Sequence, residues 1–379
     1  MKEGWKYKKL GDLFPIVMGK TPPRNIAKYW DEKKDTNNLW VSIADLSKFE
    51  GKEIHETKEH ISDEGKQNIK LIPKGSLLVS FKLTLGKMAF AGVNLYTNEA
   101  ILSIQKREDI DLMFLYYYFS FLDWNKIASG NEKVKGKTLN KKSLSEIPVP
   151  YIPLSDQQSI IARFDAAFAH IDALKENAEK QLTEARKLFQ AELTECMRPK
   201  DGWTVKTLPD ISENLDSIRK PVTKEKRTAG IYPYYGASGI VDYVDDFLFN
   251  EDLLCISEDG ANLLMRTYPI AFPISGKVWV NNHAHVLRFK NSTTQKYVEY
   301  YLSGMKLDEY ITGAAQPKLT QKAMNSIIFN MPLLLEDQHQ IVSHLDTLST
   351  NIKKLKDLFE KTLAECDALK QAMLREVFE

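Results

Sequence analysis

The sequence predicts an α+β fold written twice: two similar α/β heads joined by two long antiparallel coiled-coil helices, with an internal pseudo-two-fold repeat. Three observations carry that expectation. The first is repetition, which has to be sought before any element is assigned. Residues 4–13 (GWKYKKLGDL) parallel 202–211 (GWTVKTLPDI), pairing Trp5 with Trp203, Leu10 with Leu208 and Asp12 with Asp210. GKTLNKKSLSEI (136–147) parallels QPKLTQKAMNSI (316–327), and PLSDQQSIIARFD (153–165) parallels LLEDQHQIVSHLD (334–346). The second is texture: each half opens mixed and closes on a long, uninterrupted helical pattern. The third is the short connection Arg198-Pro-Lys-Asp-Gly-Trp203 between the first helix and the second head.

Taken in order, the first head occupies 1–145. SLLVSF (76–81) and NEAILSI (98–104) are apolar runs bounded by Gly, Pro and Asn, the pattern of strands. The first helical region, 146–198, starts just after Pro153, where Ser155 and Gln158 have the spacing of a capping box. Ile161, Phe164, Phe168, Ile171, Ala178, Leu182, Ala185 and Phe189 then recur at three- and four-residue steps without Gly or Pro between them. That is a coiled-coil seam. The second head, 199–325, has strand-like LLCIS (253–257) and HVLRF (285–289). The second helical region, 326–379, repeats the seam with Val342, Leu345, Ile352, Leu355, Phe359, Leu363, Cys366 and Met373. Each helix spans roughly 60 Å, whereas a ~130-residue head has a radius of gyration of only about 14 Å. Each helix must therefore outreach its own head and find its partner in the other repeat. The short connection starts the second head at the tip of the first helix, so its own helix runs back antiparallel, giving a dumbbell.

Composition narrows the function. The 52 basic and 51 acidic residues nearly cancel, so any anionic polymer must be met by local patches. Cys196, Cys255 and Cys366 are widely spaced and read as free thiols of a reducing compartment. With no signal peptide and no apolar span, a cytoplasmic protein that meets no membrane is expected. The chain lacks an Asn/Asp-Pro-Pro-aromatic motif, since Thr21-Pro22-Pro23-Arg24 has neither the leading amide nor the aromatic, and it lacks a GxGxxG after a strand. Gly130 to Thr138 resembles a phosphate loop but has one residue too many between its glycines. His283 and His285 share a strand face, and a metal would need more ligands than these.

With these residues in view, the order of features resembles the specificity subunit of type I restriction–modification systems. The first head carries GKTPP (19–23), Tyr29-Trp30, LWVSIADL (39–46), PKGSLLVSFKLTLGKMAF (73–90) and YTNEAIL (96–102). The second carries YPYYGASGIVDYVDD (232–246), LLCISEDGANL (253–263) and VWVNNHAHVLRF (278–289). One departure is MPLLLEDQ, a residue out of register with IPVPYIPLSDQ. The resemblance implies two target-recognition domains, each reading one half of a split, asymmetric double-stranded DNA target. It implies two docked modification subunits that methylate adenine N6, and added restriction subunits. S-adenosylmethionine and ATP with magnesium would belong to those partners, leaving this chain with no cofactor, no metal and no catalytic residue. A specificity subunit serving a fused type II nuclease–methyltransferase is the alternative.

Candidate DNA contacts follow from side-chain chemistry. Lys133, Lys135 and Lys137, with Lys141 and Lys142, crowd the end of the first head, and Arg219 and Lys220, with Lys224, Lys226 and Arg227, crowd the start of the second. Long cations in loops neutralise phosphates without reading sequence. Base readout needs paired donors and acceptors on rigidly held loops. The first head offers Lys20, Thr21, Arg24, Lys82, Thr84, Lys87 and Asn98. The second offers Tyr235, Ser238, Glu258, Asp259, Asn262, Asn282 and His283. Asn98-Glu-Ala100 and Asn282-His-Ala284 read as matching places after a strand.

Overall fold

A computed structural model describes residues 2–128, 132–133, 136–313 and 316–379, with residues 132–133 and 136–137 described by backbone alone. The chain divides into two compact units, Met1–Glu176 with Thr362–Glu379, and Asn177–Lys361. Each unit thus contains one head and a stretch of both long helices, Leu154–Cys196 and Leu335–Phe378.

In the first unit the principal sheet runs in the order Val17–Met18, Ile101–Ile104, Leu77–Ser80, Met88–Ala91, Glu53–Ile54. Leu77–Ser80 and Ile101–Ile104 are buried at every residue because the sheet has a core on each face. Leu77, Val79, Leu102 and Ile104 face one core, while Leu78 and Ile101 face the other with Val41, Leu46 and Ile54. This two-sided burial is why the strands read as unbroken apolar runs rather than alternations. A second sheet, ordered Glu59–His60, Leu39–Val41, Tyr96–Thr97, carries the parallel pair Trp40/Tyr96.

The second unit repeats this plan. Ser212–Asn214, Ala284–Phe289, Leu253–Ser257 and Ala271–Ile274 form the principal sheet. Leu254, Ile256 and Leu287 face one core; Leu253, Cys255, Ala284 and Val286 face the other. The second sheet again has a parallel pair, Tyr234/Trp279. The first head's extra length lies between equivalent strands, in residues 42–79 against 236–256. It includes the helix Ile43–Lys48, started by a capping box of Ser42 and Asp45.

The repeated motifs perform the same task twice. Tyr7–Lys9 pairs antiparallel with Pro148–Pro150, and Trp203–Thr207 pairs with Ile328–Pro332, closing each head at its helix. The glutamine of each Asp-Gln pair is a buried tie. Gln157 Nε2 donates to the carbonyls of Ile152 and Asp109, and its Oε1 accepts from the Asp111 N–H. Gln338 Nε2 donates to the Pro332 carbonyl, and its Oε1 accepts from the Thr294 hydroxyl. About two turns further along, Tyr117 donates to Asp165 at 2.5 Å and Tyr300 donates to Asp346 at 2.5 Å. Burial comes first among the causes that raise both tyrosines above the ordinary phenol range, and the carboxylate each one donates to adds to it.

The helices pair antiparallel within each unit. In the first, Arg163 meets Glu376 at 2.8 Å, Lys370 reaches Asp172, and Lys175 reaches Asp367. In the second, His344 meets Glu192 at 3.0 Å, with Cys196 beside them, the one described group of three metal-capable side chains. Phe164, Ile171, Leu182, Leu345 and Cys366 of the expected seam are buried. The far end of the second helix closes the first core. Phe378 lies within 5.4 to 6.1 Å of the rings of Trp5, Phe114, Tyr118, Phe121 and Phe164. The expected Ser155/Gln158 capping box does not form. The helix already starts at Leu154, with the Asp156 and Gln157 N–H groups on the Pro153 carbonyl, so Ser155 falls inside the first turn. No described helix is long and apolar enough to cross a membrane.

Candidate nucleic-acid interface

Each head gathers exposed polar side chains where the two central strands of its principal sheet end. Leu77–Ser80 leaves the sheet into the loop 81–87, and the turn 98–100 leads into Ile101–Ile104. The geometry is held by backbone. Ser80 N–H donates to the Lys87 carbonyl at 2.8 Å, Gly86 N–H donates to the Ser80 carbonyl at 2.9 Å, and Phe81 N–H donates to the Ala100 carbonyl at 3.0 Å. Gly86 is required there: its φ is +73°, and a Cβ would lie 2.2 Å from the Trp124 ring. Gly19 is required for a different reason, since a Cβ would lie 1.9 Å from the Thr97 carbonyl oxygen. Leu83 at the loop's tip is exposed and left-handed at φ +64°, a conformation costly for a leucine.

On this frame the first head's candidates divide. Lys20 and Lys87 are exposed, and Lys82 and Thr84 are half-buried. Thr21 donates its hydroxyl to Glu99. Burial pushes the Glu99 carboxyl up, but the hydrogen bonds from Thr21 and the backbone outweigh it and leave the group below its ordinary range. Arg24 is ion-paired with Glu59, and its guanidinium lies 4.0 Å from the Trp30 ring centroid in a cleft of about 380 Å³. Asn98 is buried, and its side-chain oxygen accepts from the Ala100 N–H at 3.0 Å, so it shapes the turn. Lys135 lies outside the described residues, as do the side chains of Lys133 and Lys137 and part of the phosphate-loop resemblance at 130–138.

In the second head Lys220, Ser238, Asn282 and His283 are exposed. Tyr235 is half-buried, its ring stacked on Phe272. Asn262 spends its amide inside the head, exchanging two hydrogen bonds with the Tyr268 backbone. Arg219 and Glu258 are both 12% exposed and bonded to each other at 2.7 Å. Arg219 also donates to the Ala284 carbonyl, and Asp216 bonds His285 at 2.6 Å and the Val286 N–H at 2.9 Å. Burial raises the Asp216 and Glu258 carboxyls. Asp216 is lowered by its bonds to His285, and Glu258 by Arg219, His285 and Lys318, and the lowering wins in both. This network braces the strand end, leaving His283 exposed beside Asn282 and paired at 2.8 Å with Asp259, whose side chain is 15% exposed. His283 and His285 therefore have separate carboxylate partners.

One sequence match needs correction. The Asn281 side chain accepts from the His283 N–H at 2.8 Å and its own N–H donates to the Tyr235 carbonyl. Asn98 makes the equivalent bonds to Ala100 and Val41. Asn98 thus corresponds to Asn281, and Asn282 to Glu99; identity of letters had placed the turn one residue out. Two outward positions were also missed, Thr138 and Lys318. They form the bridges Lys82/Thr138 and Asp259/Lys318. Their signal was present, because GKTLN and QPKLT already align them.

The model of the type I restriction modification DNA specificity domain matches residues 2–184 and again 200–371. The chain is 34% identical over 144 residues to a putative type I restriction enzyme specificity subunit of Haemophilus influenzae, covering 38% of this chain and 37% of that protein. It is 27% identical to the MjaIX specificity subunit of Methanocaldococcus jannaschii, covering 47% of this chain and 40% of that one. These two matches thus span less than half of either relative. Similarity to the EcoprrI specificity subunit of Escherichia coli is lower at 23% but spans 90% of this chain and 86% of that protein. Among solved structures, a chain from a study of complex assembly and conformational transition in a type I R-M system superposes with a TM-score of 0.76 at 18% identity, covering 100% of this chain and 98% of that one. The HsdS subunit of Thermoanaerobacter tengcongensis gives 0.57 at 19%, covering 100% and 97%. At such identities these structures speak for the fold.

Proposed function

The chain belongs to the type I restriction modification DNA specificity family, and we propose that it reads a bipartite, asymmetric double-stranded DNA target, one half-site per head, for partner subunits that carry the catalysis. The observation that carries this reading is the double match: two specificity domains in one chain, each ending on a frame that holds different side chains outward. Because Lys82 in one head stands where Asp259 stands in the other, the two heads cannot prefer the same base edges.

The partners of this reading are two modification subunits and, for cleavage, restriction subunits; S-adenosylmethionine, ATP and magnesium enter with them. The described loops bring together side chains that bind and select: cations for phosphates, and amides, acids and a hydroxyl for base edges. Lys20, Lys87 and Lys220 are exposed cations at the strand ends, and neutralising them weakens binding to every sequence and flattens the salt dependence by about 0.9 per lost phosphate contact.

The deciding experiment maps methylated adenines genome-wide in a host expressing this chain with its modification partner. The expected result is two short, different half-sites separated by an unread spacer, with the methylated adenines on opposite strands. The purified chain alone is expected to bind DNA and transfer no methyl group. Methyl transfer by the chain free of partners, or a continuous single-block target, would overturn the reading.

A further inference from the structure

We infer that the two heads read DNA through the same three structural positions, filled with different chemistry: Lys82, Glu99 and Thr138 in the first head and Asp259, Asn282 and Lys318 in the second. This rests on the proposed DNA reading and names the residues that would select bases within it.

The correspondence comes from hydrogen bonds, independently of sequence matching. Ser80 pairs with Ile101 as Ser257 pairs with Ala284. Phe81 N–H donates to the Ala100 carbonyl at 3.0 Å, and Glu258 N–H donates to the His283 carbonyl at 2.9 Å. Leu139 N–H donates to the Phe81 carbonyl at 3.0 Å, and Leu319 N–H donates to the Glu258 carbonyl at 2.8 Å. The next step outward is the bridge Lys82/Thr138 in one head and Asp259/Lys318 in the other. On the adjoining segment, Lys20 N–H donates to the Thr97 carbonyl and Lys220 N–H to the Val280 carbonyl. The Lys20 and Lys220 carbonyls each accept from a tryptophan Nε1, Trp40 at 3.1 Å and Trp279 at 2.7 Å, although these tryptophans stand on opposite strands of the parallel pair in the two heads. One backbone frame is thus built twice.

On that frame, what is constant and what varies separate cleanly. Lysine occupies the same place in both heads, as Lys20 and Lys220, and is exposed in both. An unchanged cation at an unchanged place suits a phosphate, which every sequence presents. At the three variable positions the first head offers a cation, an acid and a hydroxyl; the second offers an acid, an amide and a cation. Lysine donates to guanine O6 and N7, an acid accepts from cytosine N4, and asparagine pairs with adenine N6 and N7. The neighbouring residues tune these groups. Thr21 holds Glu99, His283 holds Asp259 at 2.8 Å, and Lys318 lies 3.1 Å from Glu258 while remaining 49% exposed.

The test expresses the chain with its modification partner, maps methylated sites, and selects duplexes from a random pool with the purified chain. Lys82→Asp should change a single position of one half-site, from an acceptor-bearing guanine toward cytosine, with the original base disfavoured about tenfold or more. Asp259→Lys should make the converse change in the other half-site. Lys20→Ala and Lys220→Ala should weaken binding and leave both half-sites unchanged. Milder replacements, Lys82→Gln and Asn282→Asp, carry the same test if a charge reversal fails to fold. If the wild-type chain gives a bipartite motif that none of the four substitutions at Lys82, Asp259 and Asn282 alters, this assignment is wrong while the DNA reading stands. If the wild-type chain with its partner gives no motif at all, the DNA reading itself fails.

Discussion

At the scale of single residues, the second head's strand end is stabilised by acids that must stay ionised. Asp216 accepts from His285 and the Val286 N–H, and Glu258 accepts from Arg219. Burial alone would raise both carboxyls, but their partners hold them below the ordinary range. A carboxyl depressed in the folded state contributes stability that is fully present above its unfolded value and is lost as pH falls through its folded one. The second head should therefore lose stability, and with it specific DNA binding, as pH drops below the ordinary carboxylate range. Asp216→Asn should lower stability at neutral pH and flatten that acid limb. Urea melts at a series of pH values measure this, and a variant with the wild-type pH slope would show that the acid limb arises elsewhere. The sequence did not disclose this network. Asp216 and Arg219 lie far along the chain from Glu258 and from His285, and nothing local marks Arg219 as a brace and Lys220 beside it as exposed. Long cations look alike in a sequence; only their partners separate an internal clamp from a phosphate contact.

Elements were more legible, because the hydrophobic pattern that makes them is local. The long helices announce themselves through Phe164, Ile171, Leu182, Leu345 and Cys366, all buried. The strands were found where apolar runs are continuous, and the two cores flanking each principal sheet explain why they are continuous. What the pattern could not convey is how the last helical turn is used. Phe378, the last residue of the second long helix, is 1% exposed among five aromatic rings of the first head's core. The last turn of a helix ordinarily frays; here tertiary packing overrides that tendency. Truncating a buried phenylalanine to alanine costs about 3–5 kcal/mol, which is a large share of a domain's total stability. Phe378→Ala should therefore unfold the first unit at markedly lower urea, with the second unit's transition little changed. Domain-specific tryptophan fluorescence separates the two, since Trp5 contacts Phe378 and Trp203 contacts Tyr297. An unshifted first transition would mean that the C-terminal turn does not complete that core in solution.

For the whole molecule, the proposed bipartite target depends on the repeat and on the two long helices, each of which has a stretch in both units. Each helix is anchored at its start by its own head's Tyr–Asp bond, Tyr117–Asp165 or Tyr300–Asp346, so its position along the pair is fixed. If the helices run along the DNA, their length sets the number of unread base pairs between half-sites. Lys175 reaches Asp367, which puts those residues at one level of the antiparallel pair. Insertions after Lys175 and before Asp367 therefore lengthen both helices together, and whole heptads keep the apolar seam in phase. One heptad adds ~10 Å, or on the order of three base pairs at ~3.4 Å each. Three base pairs also turn the duplex by about 100°, given roughly 10.5 base pairs per turn, so one half-site rotates away from its head. Three heptads add ~31 Å, on the order of nine base pairs, which returns the half-site to within about 50° of its original face. The three-heptad protein should accordingly methylate more efficiently than the one-heptad protein, on unchanged half-sites separated by about nine additional base pairs. Methylation mapping of both variants reads the spacer directly. A spacer that stays at its original length in the three-heptad variant would show that the helices do not measure the target, and that the half-sites are brought into register by the partner subunits instead.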